Sequence, residues 1–175
     1  AVSASSGVVA VLVQADGTQT VLKTSAAVEG GIAASVPDGA VVRLVDNSAV
    51  FSDIQDHWAA DAIDFVSARE LFSGGPGGTF RPEEPMSRAM LMTVLARLDG
   101  VDTGGSALWY EKGMAWAVAQ GVSDGRNPDG QITREQMVTM LYRCAGSPAV
   151  PDGALSFRDA GAVSGYAREA VRWAV

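Results

Sequence analysis

Cysteine and histidine are almost missing from this chain: Cys144 and His57 each stand alone among 175 residues. One cysteine excludes an internal disulfide and a multi-cysteine zinc site, and one histidine excludes a multi-histidine metal centre. No stretch approaches the roughly 18 apolar residues that span a bilayer, so the chain is not expected to be transmembrane. Ala1 to Val13 lacks a basic start and a cleavage pattern, so no signal peptide is read there and the beginning reads as a cut inside a longer protein. Positive charge is short as well: the net charge is −7 and the pI about 4.6, so no nucleic-acid partner is expected. Lysine in particular is scarce, two residues against eleven arginines.

Catalytic signatures are equally thin. Asp56 beside His57 does not make a catalytic pair, and the adjacent Glu83 and Glu84 read as solvated loop charge rather than a paired acid and base. The glycine run from Gly74 to Gly78 holds no phosphate fingerprint, because the sixth place from Gly75 is Phe80. Asp124 to Gly130 resembles a calcium loop, but Arg126 takes a ligand place. No enzyme, cofactor or metal site is therefore expected, and Cys144 reads as a small buried apolar residue.

What is present is a globular composition, 47% hydrophobic and 19% charged, enough for one domain or two small ones. Its main signal is repetition. Trp58, Ile63, Phe65, Leu71 and Gly74 are matched by Trp109, Met114, Trp116, Val122 and Gly125, each pair 51 residues apart. Tyr166, Val171 and Trp173 keep the same internal steps. Met86-Ser87-Arg88 matches Ile132-Thr133-Arg134 at an offset of 46, and the match runs on through Leu95/Leu141, Arg97/Arg143 and Gly100/Gly146.

Residues 1–50 read as β. Val8–Val13, Thr20–Lys23 and Ala40–Val45 are strand candidates, separated by turn signals at Asp16-Gly17 and Pro37-Asp38-Gly39. This segment reads as the end of an upstream domain or as a small sheet leaning on the helical part of the chain. From Phe51 the period becomes helical, with Asp56 as the expected N-cap and a stop near Phe72 before the glycines. A second helix is expected from Ser87, and its counterpart from Thr133 with a capping box closed by Gln136; Met90 leaves the first box half made. Each repeat thus reads as helix, glycine turn, helix, and the repeats should pack on one another to bury their stripes. Phe65 and Trp116 read as core, whereas Trp58 and Trp109, at helix starts, fit either core or ligand stacking.

Phe51-Ser52-Asp53, Trp58-Ala59, Gly74, Thr79-Phe80-Arg81-Pro82 and Ser87-Arg88-Ala89 resemble the S-layer homology repeat, written F-x-D…W-A…G…G-x-F-x-P…T-R-A-E. On that resemblance the chain divides into a β segment (1–50), repeat 1 (51–100), an abridged repeat 2 (101–146) and a partial repeat 3 (147–175) that opens at Phe157-Arg158-Asp159. The fold class implied is α+β, with the repeats forming a pseudo-threefold bundle whose third repeat is incomplete. The resemblance implies a non-catalytic, extracellular module on the bacterial cell wall or S-layer, binding secondary cell-wall polysaccharide, often pyruvylated, in grooves between repeats. Arg88 and Arg134 become the leading ligand residues, and Asp53, Trp58, Gly74, Trp109, Gly125 and Asp159 line or shape the grooves. A helix-start arginine, with the adjacent N–H groups and the macrodipole, would grip a carboxylate. The sequence departs from the family pattern at Met90 and Gln136, which stand where the family has glutamate. Two other readings stay open: self-association into a surface layer, and the anchor of an envelope hydrolase.

Overall fold

The structure, a computed structural model, describes residues 5–175. It separates into two compact units, the first ending at Glu84 and the second running Pro85–Val175. Its class is α+β, a small β segment followed by five α-helices among the described residues.

In the first unit, β1 (Val8–Val13) lies at the centre of a three-stranded antiparallel sheet between β2 (Gln19–Val21) and β5 (Val41–Asp46). The expected turn at Asp16-Gly17 forms: Gly17 has φ +85°, and the Asp16 carboxylate accepts the Thr18 N–H at 2.8 Å. A second hairpin, β3 (Ala26–Val28) with β4 (Gly31–Ala33), goes beyond the strands expected from sequence. Its alanines carry little strand signal, and only the Glu29-Gly30 turn, with Gly30 at φ +81°, marks it.

Helix α1 (Ala60–Ala68) packs Ala68 against Val9 and Val11 of β1. It starts later than expected. Asp56 is not the cap: Ala59 occupies that place with no side-chain cap, and the Ala59 N–H goes to His57 Nδ1 at 3.2 Å. It also ends earlier than Phe72, because the chain enters the left-handed region at Glu70, φ +58°. The residue between, Arg69, is fully buried. Its guanidinium donates to the carbonyls of Ser25 (2.5 Å), Ser6 (2.9 Å) and Phe65 (3.0 Å) and lies 3.5 Å from the Phe65 ring centroid. Burial pulls its pKa below the ordinary arginine value, with Asp64 opposing. One side chain thus ties the β segment to the end of the first repeat's opening helix, and Phe65 is half-buried beneath a cation rather than lost in a core. A separate cluster gathers Phe51, Ile54 and Ile63 with Phe80, whose ring meets Phe51 edge-on at 5.4 Å.

The second unit holds α2 (Arg88–Leu98), α3 (Glu111–Ala119), α4 (Arg134–Cys144), two 3-10 turns at Ala160–Ala162 and Gly165–Ala167, and α5 (Arg168–Trp173). Here α2 packs on α3, and α4 on α5, so the closing helix of one repeat meets the opening helix of the next. The core is Ala89, Leu91, Met92, Leu95, Ala117, Val122 and Met140, with Trp116 and Cys144 packed against it. Each fully buried large side chain here contributes about 1.5–3 kcal/mol. Trp116 adds a bond from its indole N–H to Asp99 at 2.8 Å. Gly113 sets the α2–α3 distance, since a Cβ there would lie 2.7 Å from the Thr93 Cα.

Both second-helix starts are capped as expected. Thr133 Oγ1 accepts the Gln136 N–H, and Gln136 Oε1 accepts the Thr133 N–H at 3.2 Å. At α2 the box half made by Ser87 is closed after all, by the Met90 thioether accepting the Ser87 N–H at 3.4 Å, a weaker acceptor than a carboxylate. No helix among the described residues is long and apolar enough to cross a membrane.

Candidate functional site

Four residues on one face of α4, Gln136, Thr139, Met140 and Arg143, follow the i, i+3, i+4, i+7 spacing of a helical stripe. They form one wall of a cavity of about 340 Å³. Arg88 at the start of α2, the loop residues Val122, Ser123 and Asp124, and Tyr166 in the second 3-10 turn complete it. The cavity therefore takes residues from all three repeat segments.

Its two guanidinium groups are in different states. The Arg88 side chain is only 14% exposed and sits 2.9 Å from the Asp124 carboxylate. It also donates to Ser123 Oγ at 3.1 Å and, through Nε, to the Arg126 carbonyl at 3.0 Å. Asp124 is held below the ordinary carboxylate range by the Arg126 backbone N–H, aided by the Arg88 and Arg126 charges. Arg143 is exposed, and among the described residues its only bond is a long one to the Val122 carbonyl, 3.4 Å. Among the described residues it has no carboxylate partner.

Tyr166 is fixed by Glu135, which accepts its hydroxyl at 3.0 Å together with the Ser164 N–H and Oγ at 3.0 and 2.9 Å. Those bonds, the Ser164 N–H first, hold Glu135 below its usual pKa. Partial burial and the Glu135 contact push the Tyr166 phenol up, against the pull of Arg88 and Arg143. Tyr166 thus remains protonated at neutral pH, with its O–H committed to Glu135.

The helix-start amides of α2 do not face a ligand, contrary to expectation. The Arg88 N–H bonds the Gly130 carbonyl at 2.9 Å and the Ala89 N–H that of Pro128 at 2.8 Å. The abridged loop of the second repeat folds back onto them.

The other residues singled out from sequence do not converge on this cavity. In the first unit, Asp53 accepts the Phe80 and Arg81 N–H groups at 2.9 and 2.8 Å, which depress its pKa. Gly74, at φ +69°, leaves room for Phe51, whose ring edge would lie 2.3 Å from an added Cβ. Both are organisers of a loop. Trp58 is 91% exposed and Trp109 53% exposed, which removes the core reading for both. Gly125, also at φ +69°, borders a second, apolar cavity of about 520 Å³ with Met114, Ala115 and Val118. Arg134 and Asp159 are exposed and have no side-chain partner among the described residues. Sequence reasoning passed over Arg143, Tyr166, Gln136, Ser123 and Asp124 as site residues. Arg143 had a usable signal, its alignment with Arg97; Ser123 and Asp124 stand opposite Phe72 and Ser73 in the repeat, which marks neither as a ligand residue.

The S-layer homology domain model matches residues 50–89. A cellulosome-anchoring protein of Acetivibrio thermocellus is 30% identical over 65% of this chain and 30% of its own length. An exoglucanase, XynX, of the same species is 26% identical over 73% of the chain and 13% of its own. An S-layer protein of Bacillus licheniformis is 26% identical over 73% of the chain and 16% of its own. The chain spans less than a third of the length of each of these relatives. No solved structure matches it. The matched motif, from Phe51 and Asp53 to Ser87, Arg88 and Ala89, is the segment that holds the Asp53 loop and the Ser87 helix cap. Residues 50–89 of this chain therefore carry an S-layer homology signature, the segment that the repeat motifs single out.

Proposed function

We propose that the chain is a non-catalytic anchoring module that holds an extracellular bacterial protein to the cell wall by binding an acidic secondary cell-wall polysaccharide, such as a pyruvylated one. The supporting observation is the cavity in which Arg88, Arg143, Gln136 and Tyr166 meet, two guanidinium groups, one paired to the Asp124 carboxylate, beside neutral hydrogen-bonding side chains on a protein of net charge −7. Arginine's planar fork suits a carboxylate, and the neutral groups suit sugar hydroxyls. The exposed Arg134 is a second cation for the same polymer, and the exposed rings of Trp58 and Trp109 offer stacking faces. In this reading the repeats close as a pseudo-threefold bundle. Its relatives include an anchoring protein, an exoglucanase and an S-layer protein, so the module serves either an envelope hydrolase or a layer-forming or anchoring surface protein.

Co-sedimentation with purified envelope polysaccharide tests the reading. The chain should pellet with carboxylated polysaccharide, less so as salt rises, because the protein's overall charge opposes the ligand and only local cations attract it. Arg88→Ala and Arg134→Ala should each weaken binding, Arg88→Ala by about tenfold, about 1.4 kcal/mol. Unchanged binding in both variants would remove the assignment of these arginines.

A further inference from the structure

We infer that Arg143, and not the helix-start Arg88, is the residue that meets the ligand's carboxylate in this cavity, with Tyr166 beside it accepting a sugar hydroxyl. The inference rests on the glycan-binding reading and assigns roles within that site.

The two arginines differ in what a ligand would have to displace. An incoming carboxylate must compete with Asp124, an exposed acid already 2.9 Å away, for the Arg88 guanidinium, whose side chain is largely buried. Exchanging one carboxylate for another on the same guanidinium yields little net free energy, and it leaves Asp124 stranded beside the ligand's charge. Arg88 also bonds the Arg126 carbonyl and Ser123, so its planar group is part of the loop's own fabric. Arg143 has none of these ties. It is exposed, lines the same cavity, and among the described residues its one bond is a 3.4 Å contact to the Val122 carbonyl. A carboxylate there gains a charge-assisted bond without breaking an ion pair.

Tyr166 defines the neighbouring contact. Its O–H points to Glu135, so the phenol oxygen can only accept a further hydrogen bond. A carboxylate, which has no proton to donate, is refused at that oxygen, whereas a hydroxyl is welcomed. The pairing of a free guanidinium with an acceptor-only phenol selects a sugar carrying both an acid group and a free hydroxyl over a simple anion. Gln136, on the same face of α4, supplies both donor and acceptor and does not alter that preference.

The test uses the full chain, isothermal titration with carboxylated envelope polysaccharide, and the same polymer after reduction of its carboxylates to alcohols. Arg143→Gln should lose about tenfold or more in affinity for the acidic polymer, lose markedly less for the reduced polymer, and flatten the salt dependence. Arg143→Lys, which retains charge but not the fork, should fall between. Arg88→Gln should weaken both polymers alike, because it loosens the loop rather than removing a charge contact. Tyr166→Phe should also weaken both polymers, and free acetate should not compete. The reverse pattern, with Arg88→Gln selective for the acidic polymer and Arg143→Gln without effect, overturns this assignment but leaves the anchoring reading standing. Failure of the unaltered chain to bind either polymer overturns both.

Discussion

Single residues here do work that their type alone does not disclose. Gly74 reads from sequence as a groove residue, and its geometry makes it a loop residue: φ is +69° and the Phe51 ring fills the space a side chain would need. Gly74→Ala should therefore lower stability by at least about 2 kcal/mol, from the left-handed backbone and the displaced ring together. Gly77→Ala, at φ +77° with open space around it, carries the backbone penalty alone and should cost about 1 kcal/mol. Urea unfolding of the two variants measures the difference, and equal losses would show that Phe51 yields freely. Arginine teaches the same lesson. Arg69, Arg88, Arg134 and Arg143 are one residue type in four states: buried on carbonyls, paired to a carboxylate, exposed with no side-chain partner among the described residues, and cavity-lining with a single long bond to a carbonyl there.

At the scale of elements, helix position followed the repeat. The starts of α2 and α4 at Ser87 and Thr133 were legible, because a capping hydroxyl and the residue three places on are local in sequence. The start of α1 was not, because an aspartate at position 56 is a sound cap only if the chain turns helical there, and the His57–Ala59 bond delays it. Helix contact hangs on Gly113, a residue with no sequence signal beyond its being a glycine within a helix. In an exposed helix glycine-to-alanine stabilises by about 1 kcal/mol. Here the new Cβ would lie 2.7 Å from the Thr93 Cα, backbone that cannot rotate away, and overpacking of this kind costs about 1–3 kcal/mol. Gly113→Ala should thus destabilise the second unit. A rise in its thermal midpoint would mean that α2 and α3 move apart without loss.

For the whole molecule the carboxylates set the acid limit. Asp53, Asp124 and Glu135 all have depressed values, caused first by backbone N–H groups: Phe80, Arg126 and Ser164 respectively. A depressed folded pKa means stability that is fully present above the unfolded values of about 3.9–4.3 and lost as pH falls through the folded ones. The chain should hold a constant thermal midpoint from pH 7 to about 5 and lose it progressively below about 4. Circular dichroism melts across that range check this, and a midpoint unchanged at pH 3 would mean the three contacts add nothing to folding. The same protonation of Glu135 frees the Tyr166 hydroxyl, so ligand selectivity should change in the same window.

The sequence by itself determined the repeated helix–glycine turn–helix pattern, the capped helix starts, the β character of the segment before Phe51 and the S-layer homology motif of residues 50–89. Each depends on neighbours within a few positions or on an offset that can be counted. Only the tertiary structure decided which side chains share a cavity and which arginine in it is free of a carboxylate. Asp124 lies 36 residues from Arg88, and Tyr166 lies 31 from Glu135. Contacts at that separation are set by how helices pack and by where a shortened loop folds back, and two residues of identical type acquire opposite electrostatic surroundings from it.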